Sequence, residues 1–378
     1  MKEAKILLEI VKCFLWEKEY TSYNDIDEEK LYQLAKINNL SNFLENWAQK
    51  YCKSEKIKNQ IDQDYTTQIV KDTNQNIEIE KILTTFEKNK IRTLVVKGAL
   101  MKNIYPQNYM RQMCDVDILV EDINFQKSSQ IMKNMGYHRC HNHEKHLVFE
   151  KVPFMIVELH RKLVLEKDVI GYEYFNNIWP ICIKYKDYEN IYQLDINNAY
   201  VFCILHLLSH FKFTGIKMKD ILDVYLYNET YKNSLDYDKL SQIFEDFEIQ
   251  DFAENIKNIA YKWFGTDNVD DFDEIETFIL KGSNLNNRVN YSIGKNNGKF
   301  KFFIKLLFPE MKIMKEKFPI LKKFPPLLPV MWITRIVKDI GPEGLPLKTR
   351  FDTIKLIKEA NSEDVQKIKD IYDKLGVK

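Results

Sequence analysis

The sequence predicts an α+β fold in which a small mixed sheet is flanked by helical regions on its N-terminal and C-terminal sides. Apolar residues recur at helical spacing through residues 1–90. Short β-branched and apolar runs replace that spacing between 91 and 193, and helical spacing returns over 194–294. A basic helical tail interrupted by prolines occupies 295–378. We take these four stretches as the predicted domains.

The composition narrows the class of protein. The formal charge of the 378-residue chain is +1, so no overall field demands a nucleic-acid partner. Its six cysteines are scattered without a Cys-x-x-Cys pair, which favours reduced thiols over a disulfide framework or a zinc ribbon. Charged residues interrupt the N-terminal apolar positions, and no run of about 20 apolar residues occurs. A cytoplasmic location is expected.

The first 90 residues are expected to form helices that cover the sheet. Within them, the polar segment 54–88 carries apolar residues at helical spacing. The buried stripe predicted from that spacing is Ile57, Ile61, Tyr65, Ile69, Val70, Ile79, Ile82, Leu83 and Phe86.

Residues 93–120 carry the most specific pattern in the chain. Thr93–Val96 is typical of a buried strand, and it ends in Lys97-Gly98, where a glycine allows a sharp turn and close approach to a ligand. Ala99–Ile104 is typical of the first turns of a helix, whose free N–H groups favour a phosphate. The order strand, glycine, helix therefore indicates a phosphate-binding turn.

Two aspartates follow on the next predicted strand, which is expected to begin at Cys114. Alternation along a strand would put Asp115 and Asp117 on one face and Val116 and Ile118 on the other. Carboxylates about 7 Å apart along a strand can hold a divalent cation, ordinarily Mg²⁺ bound jointly with substrate phosphates. A solvated strand face is the alternative, but aspartate is disfavoured in strands.

Three more strands and a helix complete the predicted sheet region. The helix Ile123–Met135 has Asp122 as its expected N-cap. The three strands are Tyr137–Arg139, Leu147–Lys151 and Phe154–Arg161, and the last two are expected to form a hairpin through Val152-Pro153. In the last strand Glu158 and His160 share one face.

This arrangement resembles the nucleotidyltransferase superfamily typified by DNA polymerase beta. Its signature is a strand, a glycine pair or Gly-Ser opening a helix, Asp-x-Asp or Asp-x-Glu on the next strand, and a carboxylate on a later strand. More narrowly, the chain resembles an uncharacterised bacterial nucleotidyltransferase family. The residues that carry this narrower resemblance are Lys-Gly-Ala-Leu (97–100), Arg111 before Asp-Val-Asp-Ile-Leu-Val, Met-Gly-Tyr (135–137), His146 and Val-Glu-Leu-His (157–160).

The resemblance implies transfer of a nucleoside monophosphate, with AMP preferred, from a nucleoside triphosphate to an acceptor hydroxyl. Asp115, Asp117 and Glu158 would be catalytic and would hold Mg²⁺ or Mn²⁺, Glu158 on the acceptor side. The expected nucleotide-binding residues are Lys97, Gly98, Ala99, Arg111, His146 and His160. For Arg111 a surface salt bridge is the alternative.

Three histidines lie close together between positions 141 and 146. His141, His143 and His146 invite a zinc interpretation, but no carboxylate or cysteine lies at ligand spacing beside them. Zinc is therefore not predicted. His146 and His160 are expected in the wall of the nucleotide pocket.

The helical stretch after the sheet yields local expectations. Asp195 should cap Ile196–Phe211, and a helix over Lys217–Tyr227 should contain Asp220 and Asp223. These two aspartates resemble an acidic helix feature of the family, with a capping or salt-bridge role as the alternative. Residues 282–298, rich in asparagine and glycine, are expected to be a linker.

The basic tail leaves three interpretations open. Residues 295–350 have a net charge of +9, with lysines alternating among aromatic and aliphatic residues. Such a stretch can lie on an anionic membrane surface, follow a phosphate backbone, or be a folded tail with extended lysines. The folded tail is favoured, because Pro325–Pro329, Trp332 and Ile333 are too apolar to stay in water unpaired.

The acceptor stays open at this stage, with a small molecule, a protein and RNA as its possible classes. Ala99 stands where the superfamily has glycine or serine, so a degenerate domain that binds nucleotide or a partner without turnover is one alternative. An enzyme that modifies RNA ends is another, and only the basic tail favours it.

Overall fold

The computed structural model describes residues 1–21, 26–96, 98–142, 146–164, 170–267, 271–282, 285–340 and 347–377. The α-helices, in chain order, are α1 (Lys2–Leu15), α2 (Glu28–Ile37), α3 (Glu45–Tyr51), α4 (Glu55–Lys88), α5 (Gly98–Met101), α6 (Phe125–Asn134), α7 (Tyr172–Asn176), α8 (Ile196–Phe213), α9 (Met218–Tyr231), α10 (Tyr237–Asp246), α11 (Gln250–Phe264), α12 (Glu274–Lys281), α13 (Leu285–Lys295), α14 (Lys299–Leu307), α15 (Met311–Lys317), α16 (Leu328–Ile340), α17 (Leu347–Glu359) and α18 (Ser362–Lys374). The strands are β1 (Thr93–Val95), β2 (Val116–Val120), β3 (His138–Asn142), β4 (His146–Lys151), β5 (Met155–His160), β6 (Cys182–Lys184) and β7 (Ile191–Leu194). Short 3₁₀ segments lie at Ser41–Leu44, Lys102–Ile104, Asn108–Met110, Asp122–Asn124, Trp179–Ile181, Pro319–Lys322 and Pro325–Leu327.

The fold class is α+β, as predicted, with helices flanking a central mixed sheet. The seven described strands are ordered β3-β4-β5-β2-β1-β7-β6. β2 pairs with β5 and β1 with β7 in parallel, and the remaining pairs are antiparallel. The predicted hairpin through Val152-Pro153 is confirmed as β4–β5. Two strands that lie far apart in the chain, β2 and β5, thus become neighbours at the centre of the sheet.

The hydrophobic core of the sheet lies on one of its faces. Buried residues of β2 and β5, including Ile118 and Leu159, pack with α4 through Ile82 and Phe86 and with α6 through Met132. Because side chains alternate along a strand, the residues between the core positions of β2 and β5 face the other way. That opposite face carries the charged residues of the candidate site.

The buried stripe of α4 differs from the prediction. Val70, expected inside, is 53% exposed. The middle of the buried face is polar, with Gln68, Asp72 and Gln75 buried at spacings of three and four residues. An apolar criterion passes over such positions, because their burial depends on partners elsewhere in the chain.

Local expectations at helix ends are confirmed in one case and wrong in another. Asp195 caps α8, with Oδ1 accepting from the backbone N–H of Asn197 at 2.9 Å and of Asn198 at 3.0 Å. Asp122 does not cap α6: a 3₁₀ turn comes first, and Asn124 is the N-cap position.

The chain divides into two compact units, which we describe separately. One comprises residues 1–210 and 216–280, and the other comprises 211–215 and 281–378. The linker expected over 282–298 is wrong, since α13 lies within it. Val289 and Ile293 of α13 are buried with Ile357 and Ala360, and that burial outweighs the low helix propensity of the neighbouring asparagines.

The second unit is helical, with small buried clusters of apolar residues beside other apolar residues that are exposed. Met314, Phe318 and Leu321 form one small core, which Trp332 packs against. Ile333, expected inside, is 65% exposed. No helix in the described parts of the chain is both long and apolar enough to cross a bilayer.

Candidate functional site

A charged patch lies across the face of β4, β5 and β2 that is turned away from the core. Asp117 of β2 is directly opposite Glu158 of β5, and His160 of β5 is directly opposite His146 of β4. Glu158 and His160 are two residues apart and therefore share a face. The register of three strands thus brings together residues that span more than forty positions of sequence.

The side chains of this patch converge on the imidazole of His160. Its Nε2 lies 2.9 Å from Oδ1 of Asp117 and 3.4 Å from Oε2 of Glu158. Nε2 of His146 lies 3.6 Å from the same Glu158 oxygen. The four side chains are between 14% and 26% exposed, so the patch is half-buried and open to a ligand.

Charge at the patch is balanced between carboxylates and imidazoles. The hydrogen bond from His160 lowers the pKa of Glu158 and outweighs burial, which acts in the opposite direction. Burial by itself lowers the pKa of His160, but hydrogen bonds to Asp117 and Glu158 outweigh it and raise that pKa overall. These contacts therefore stabilise the ionised form of Glu158 and the protonated form of His160.

Asp115 lies just before β2, so the expectation that the strand begins at Cys114 is wrong. The ladder with β5 starts at the pair Val116 and Val157. Asp115 is half-buried and adjoins the charged patch in sequence.

The turn after β1 lies beside Asp117. The backbone N–H of Val96 donates to the Asp117 carbonyl at 3.4 Å, and Gly98 follows two residues later. Gly98 does not have a left-handed φ; a side chain there would come within 2.8 Å of the Met113 sulfur. The glycine is therefore required by close packing. Lys97 lies outside the described residues.

Two other residues expected to bind nucleotide occupy buried positions. Ala99 packs in the core of the sheet, so only its backbone faces the turn. Arg111 forms a bidentate salt bridge with Asp223, from Nε at 2.8 Å and from Nη2 at 2.7 Å. The salt bridge given above as the alternative role of Arg111 is therefore present, but it is buried. The third guanidinium nitrogen of Arg111, Nη1, is 3.5 Å from the Gly98 carbonyl.

Asp223 is the centre of a buried polar cluster. It also accepts a hydrogen bond from the Tyr105 hydroxyl at 2.6 Å, and Lys219 lies 3.4 Å away. Burial opposes its ionisation, but Arg111 and Lys219 together lower the pKa of Asp223 to about 2. Asp220 accepts from the Lys217 backbone N–H at 2.8 Å, which is a capping contact, and its other oxygen pairs with Lys219 at 2.9 Å.

Sequence reasoning missed the contacts that hold the segment 98–113 against α4. Lys102 forms a buried salt bridge with Asp72 at 2.9 Å, and Gln75 donates to the Met113 carbonyl at 3.3 Å. The signal was present: polar residues at helical spacing between the apolar ends of the α4 stripe. Its meaning required knowing which groups lie opposite.

Comparison with protein families identifies the chain. The model of a family described as uncharacterised nucleotidyltransferase matches residues 24–265, about two thirds of the chain. The chain belongs to this family. Comparison with curated proteins and with solved structures gave no significant match.

Membership of the uncharacterised nucleotidyltransferase family makes the chain a nucleotidyltransferase. The matched region covers the sheet, the charged patch and the helix of Asp223, and it ends before residues 281–378, which make up most of the second compact unit.

Proposed function

We propose that the chain transfers a nucleoside monophosphate, AMP in our working assignment, from a nucleoside triphosphate to an acceptor hydroxyl with release of pyrophosphate. One observation carries the proposal. Asp117 and Glu158 lie side by side on parallel strands, on the face away from the core and next to the turn at Gly98. The acceptor is a small molecule, a protein or RNA.

The residues of the patch fit a divalent cation. Asp117 and Glu158 present oxygen donors in a half-buried setting, and both contact the imidazole of His160. Oxygen donors of this kind are the ligands that Mg²⁺ and Mn²⁺ take. When bound, the cations neutralise the triphosphate and favour deprotonation of the acceptor hydroxyl.

The protein side of the reaction is then mostly positioning. We assign Asp115 and Asp117 to the cations shared with the triphosphate, and Glu158 to the acceptor side. Amides near Gly98 face the β- and γ-phosphates, and Lys97 adds a point charge. His160 orients the two carboxylates to which its Nε2 is bonded.

Arg111 is better suited to positioning than to gripping phosphate. Two of its nitrogens are committed to Asp223, and its side chain is 10% exposed. Its Nη1 contact with the Gly98 carbonyl connects that salt bridge to the turn. We therefore propose that Arg111 fixes the turn at which the phosphates bind.

The experiment that tests the function is incubation with each α-labelled nucleoside triphosphate and Mg²⁺ or Mn²⁺. Pyrophosphate release and label transfer to the protein, RNA and small-molecule extracts are measured. We expect one acceptor class to take the label with one preferred nucleotide. Binding of nucleotide with no transfer to any fraction would instead favour a degenerate binding domain.

Glu158→Gln should impair turnover by about 100-fold or more while weakening triphosphate binding much less. Its proposed contact is on the acceptor side, so the triphosphate keeps Asp115 and Asp117. Label transfer and Mg²⁺–nucleotide titration measure the two effects. Glu150→Gln, an exposed carboxylate on the same hairpin, is the control. Loss of binding as complete as in an Asp117 variant would put Glu158 on the triphosphate side.

We also propose that the second unit contacts an anionic membrane surface. Nine of the nineteen exposed large hydrophobic side chains among the described residues lie between 300 and 333. Exposed lysines surround them, including Lys299, Lys301, Lys322 and Lys323. Proteins bind such surfaces when apolar side chains enter the membrane–water interface and lysines contact the anionic headgroups.

Vesicle co-sedimentation tests this contact. We expect binding to vesicles with an anionic lipid, loss with neutral lipid, and weakening as salt rises. Replacing Phe300 and Phe324 together by serine should weaken binding about 10-fold or more, because both are more than half exposed. Ile37→Ser, equally exposed in the first unit, is the control. If the protein instead binds RNA in a salt-dependent way, and the serine substitutions leave that binding unchanged, the partner of the second unit is a phosphate backbone.

A further inference from the structure

The patch contains a second set of potential metal ligands that differs from the paired carboxylates. His146, Glu158 and His160 each offer one ligand atom, and these three atoms lie within 4.8 Å of one another. Two are nitrogens and one is oxygen. All three residues come from the single hairpin β4–β5, so the set is assembled by one local element.

We propose that this hairpin binds a divalent transition-metal ion, such as Zn²⁺, Mn²⁺ or Co²⁺, through His146, Glu158 and His160 without nucleotide. The site goes beyond the proposed function, because it requires neither a triphosphate nor Asp115. It differs in chemistry from a Mg²⁺ site shared with phosphates.

The separations of the ligand atoms fit such an ion. Metal–nitrogen and metal–oxygen bonds of about 2.0–2.2 Å at tetrahedral angles separate ligand atoms by about 3.3–3.5 Å. Oε2 of Glu158 is 3.4 Å from Nε2 of His160 and 3.6 Å from Nε2 of His146. Small side-chain rotations therefore suffice to close the set around an ion.

The donor types decide the class of ion. Imidazole nitrogen suits zinc and its transition-metal neighbours, whereas Mg²⁺ demands oxygen ligands and keeps its waters. Two histidines with one glutamate form a ligand set found at zinc sites that keep an open position. Oδ1 of Asp117, 2.9 Å from Nε2 of His160, adjoins the set and can complete it as a fourth ligand once Nε2 has released its proton to the solvent.

The strand register explains why the set is preformed. His146 and His160 are directly opposite on antiparallel strands, with ring centroids 5.0 Å apart. Neither strand has to move for the three ligands to meet. A site held by backbone pairing loses little conformational entropy when it binds an ion.

The test uses the full-length protein, stripped of metal with a chelator and kept free of nucleotide. Calorimetric titration with Zn²⁺, Mn²⁺, Co²⁺ and Mg²⁺ measures stoichiometry and affinity, and the visible absorption of bound Co²⁺ reports its coordination. We expect one equivalent of transition ion to bind, with Mg²⁺ at least about 100-fold weaker. Pulsed paramagnetic resonance of the Mn²⁺-loaded protein should show coupling to imidazole nitrogen, a readout that needs no variant.

Variants then assign the ligands. His146→Gln, Glu158→Gln and His160→Gln should each weaken Co²⁺ binding by at least about 10-fold. His138→Gln, which replaces an exposed histidine on the adjacent strand β3, should leave Co²⁺ binding unchanged. His146 is at the end of β4, so its variant carries the least risk to folding.

Three results would overturn the site: no transition ion bound without nucleotide, Mg²⁺ bound as tightly as Co²⁺, or equal loss of binding in His138→Gln. None of these bears on nucleotidyl transfer, which is measured by label transfer in a separate assay. If the protein binds one transition-metal ion but transfers no label, the metal site stands and the proposed nucleotidyl transfer is wrong.

Discussion

Asp117→Asn should lower nucleotidyl transfer by about 1,000-fold or more. The substitution removes the charge of the carboxylate that lies between the Gly98 turn and Glu158, and it replaces an oxygen acceptor of His160. Electrostatic stabilisation at the transferred group is the largest contribution such a site makes to the rate. Label transfer and pyrophosphate release with the preferred nucleotide measure the loss.

The fold should survive this change, because Asp117 contributes to the sheet through its backbone. Circular dichroism and the unfolding midpoint check that point. Asp122→Asn is the matched control, since that carboxylate follows the same strand and its side chain is 77% exposed. An Asp117→Asn enzyme with full activity would show that the site lies elsewhere on the chain.

Asp223→Asn should lower the free energy of unfolding by about 3–5 kcal/mol, the usual cost of removing one partner of a buried ion pair. The substitution leaves the buried guanidinium of Arg111 without its counter-charge. The depressed pKa of Asp223 by itself corresponds to about 2 kcal/mol. The remainder is the cost of an uncompensated buried cation. Chemical denaturation measures the change, and transfer activity should fall with it, since Arg111 contacts the Gly98 carbonyl.

The control is Asp220→Asn on the same helix. It keeps an oxygen that can accept from the Lys217 backbone N–H and loses an ion pair with Lys219 at 2.9 Å in which Asp220 is 25% exposed, so it should cost only about 1 kcal/mol. The stabilities of the wild-type protein and of Asp223→Asn should also depend differently on pH. A carboxyl whose pKa falls from 3.8 to about 2 stabilises the fold above its ordinary pKa and loses that effect as pH falls through 2. The difference between wild type and Asp223→Asn should therefore narrow at low pH. A cost below 1 kcal/mol at neutral pH would argue against a buried pair.

Several features followed from local sequence. The apolar run at Thr93, the alternation through Asp117, and the pair Val152-Pro153 identified β1, β2 and the β4–β5 hairpin. Asp195 marked the start of α8 correctly. These succeeded because a strand, a tight turn and a cap are set by residues within a few positions of one another.

Other features could not be derived from local pattern. An apolar criterion selects Val70 of α4 and misses the buried polar stripe around Asp72. The asparagines and glycines of 282–298 likewise predict a linker where the structure has α13. In each case burial depended on a partner far away in the sequence, such as Lys102 or Ile357. Local propensity is a weak guide where tertiary contacts decide.

The sequence by itself determined the α+β class and the family, and it proposed Asp115, Asp117 and Glu158 as the carboxylates of the site. Only the tertiary structure decided which of them meet. Parallel pairing of β2 with β5 brings Asp117 beside Glu158, and the salt bridge between Arg111 and Asp223 joins residues 112 positions apart. The tertiary structure also placed His146 3.6 Å from Glu158, a carboxylate that lies twelve positions away in the sequence. Such contacts depend on strand order and on the closure of long loops, which no local pattern specifies.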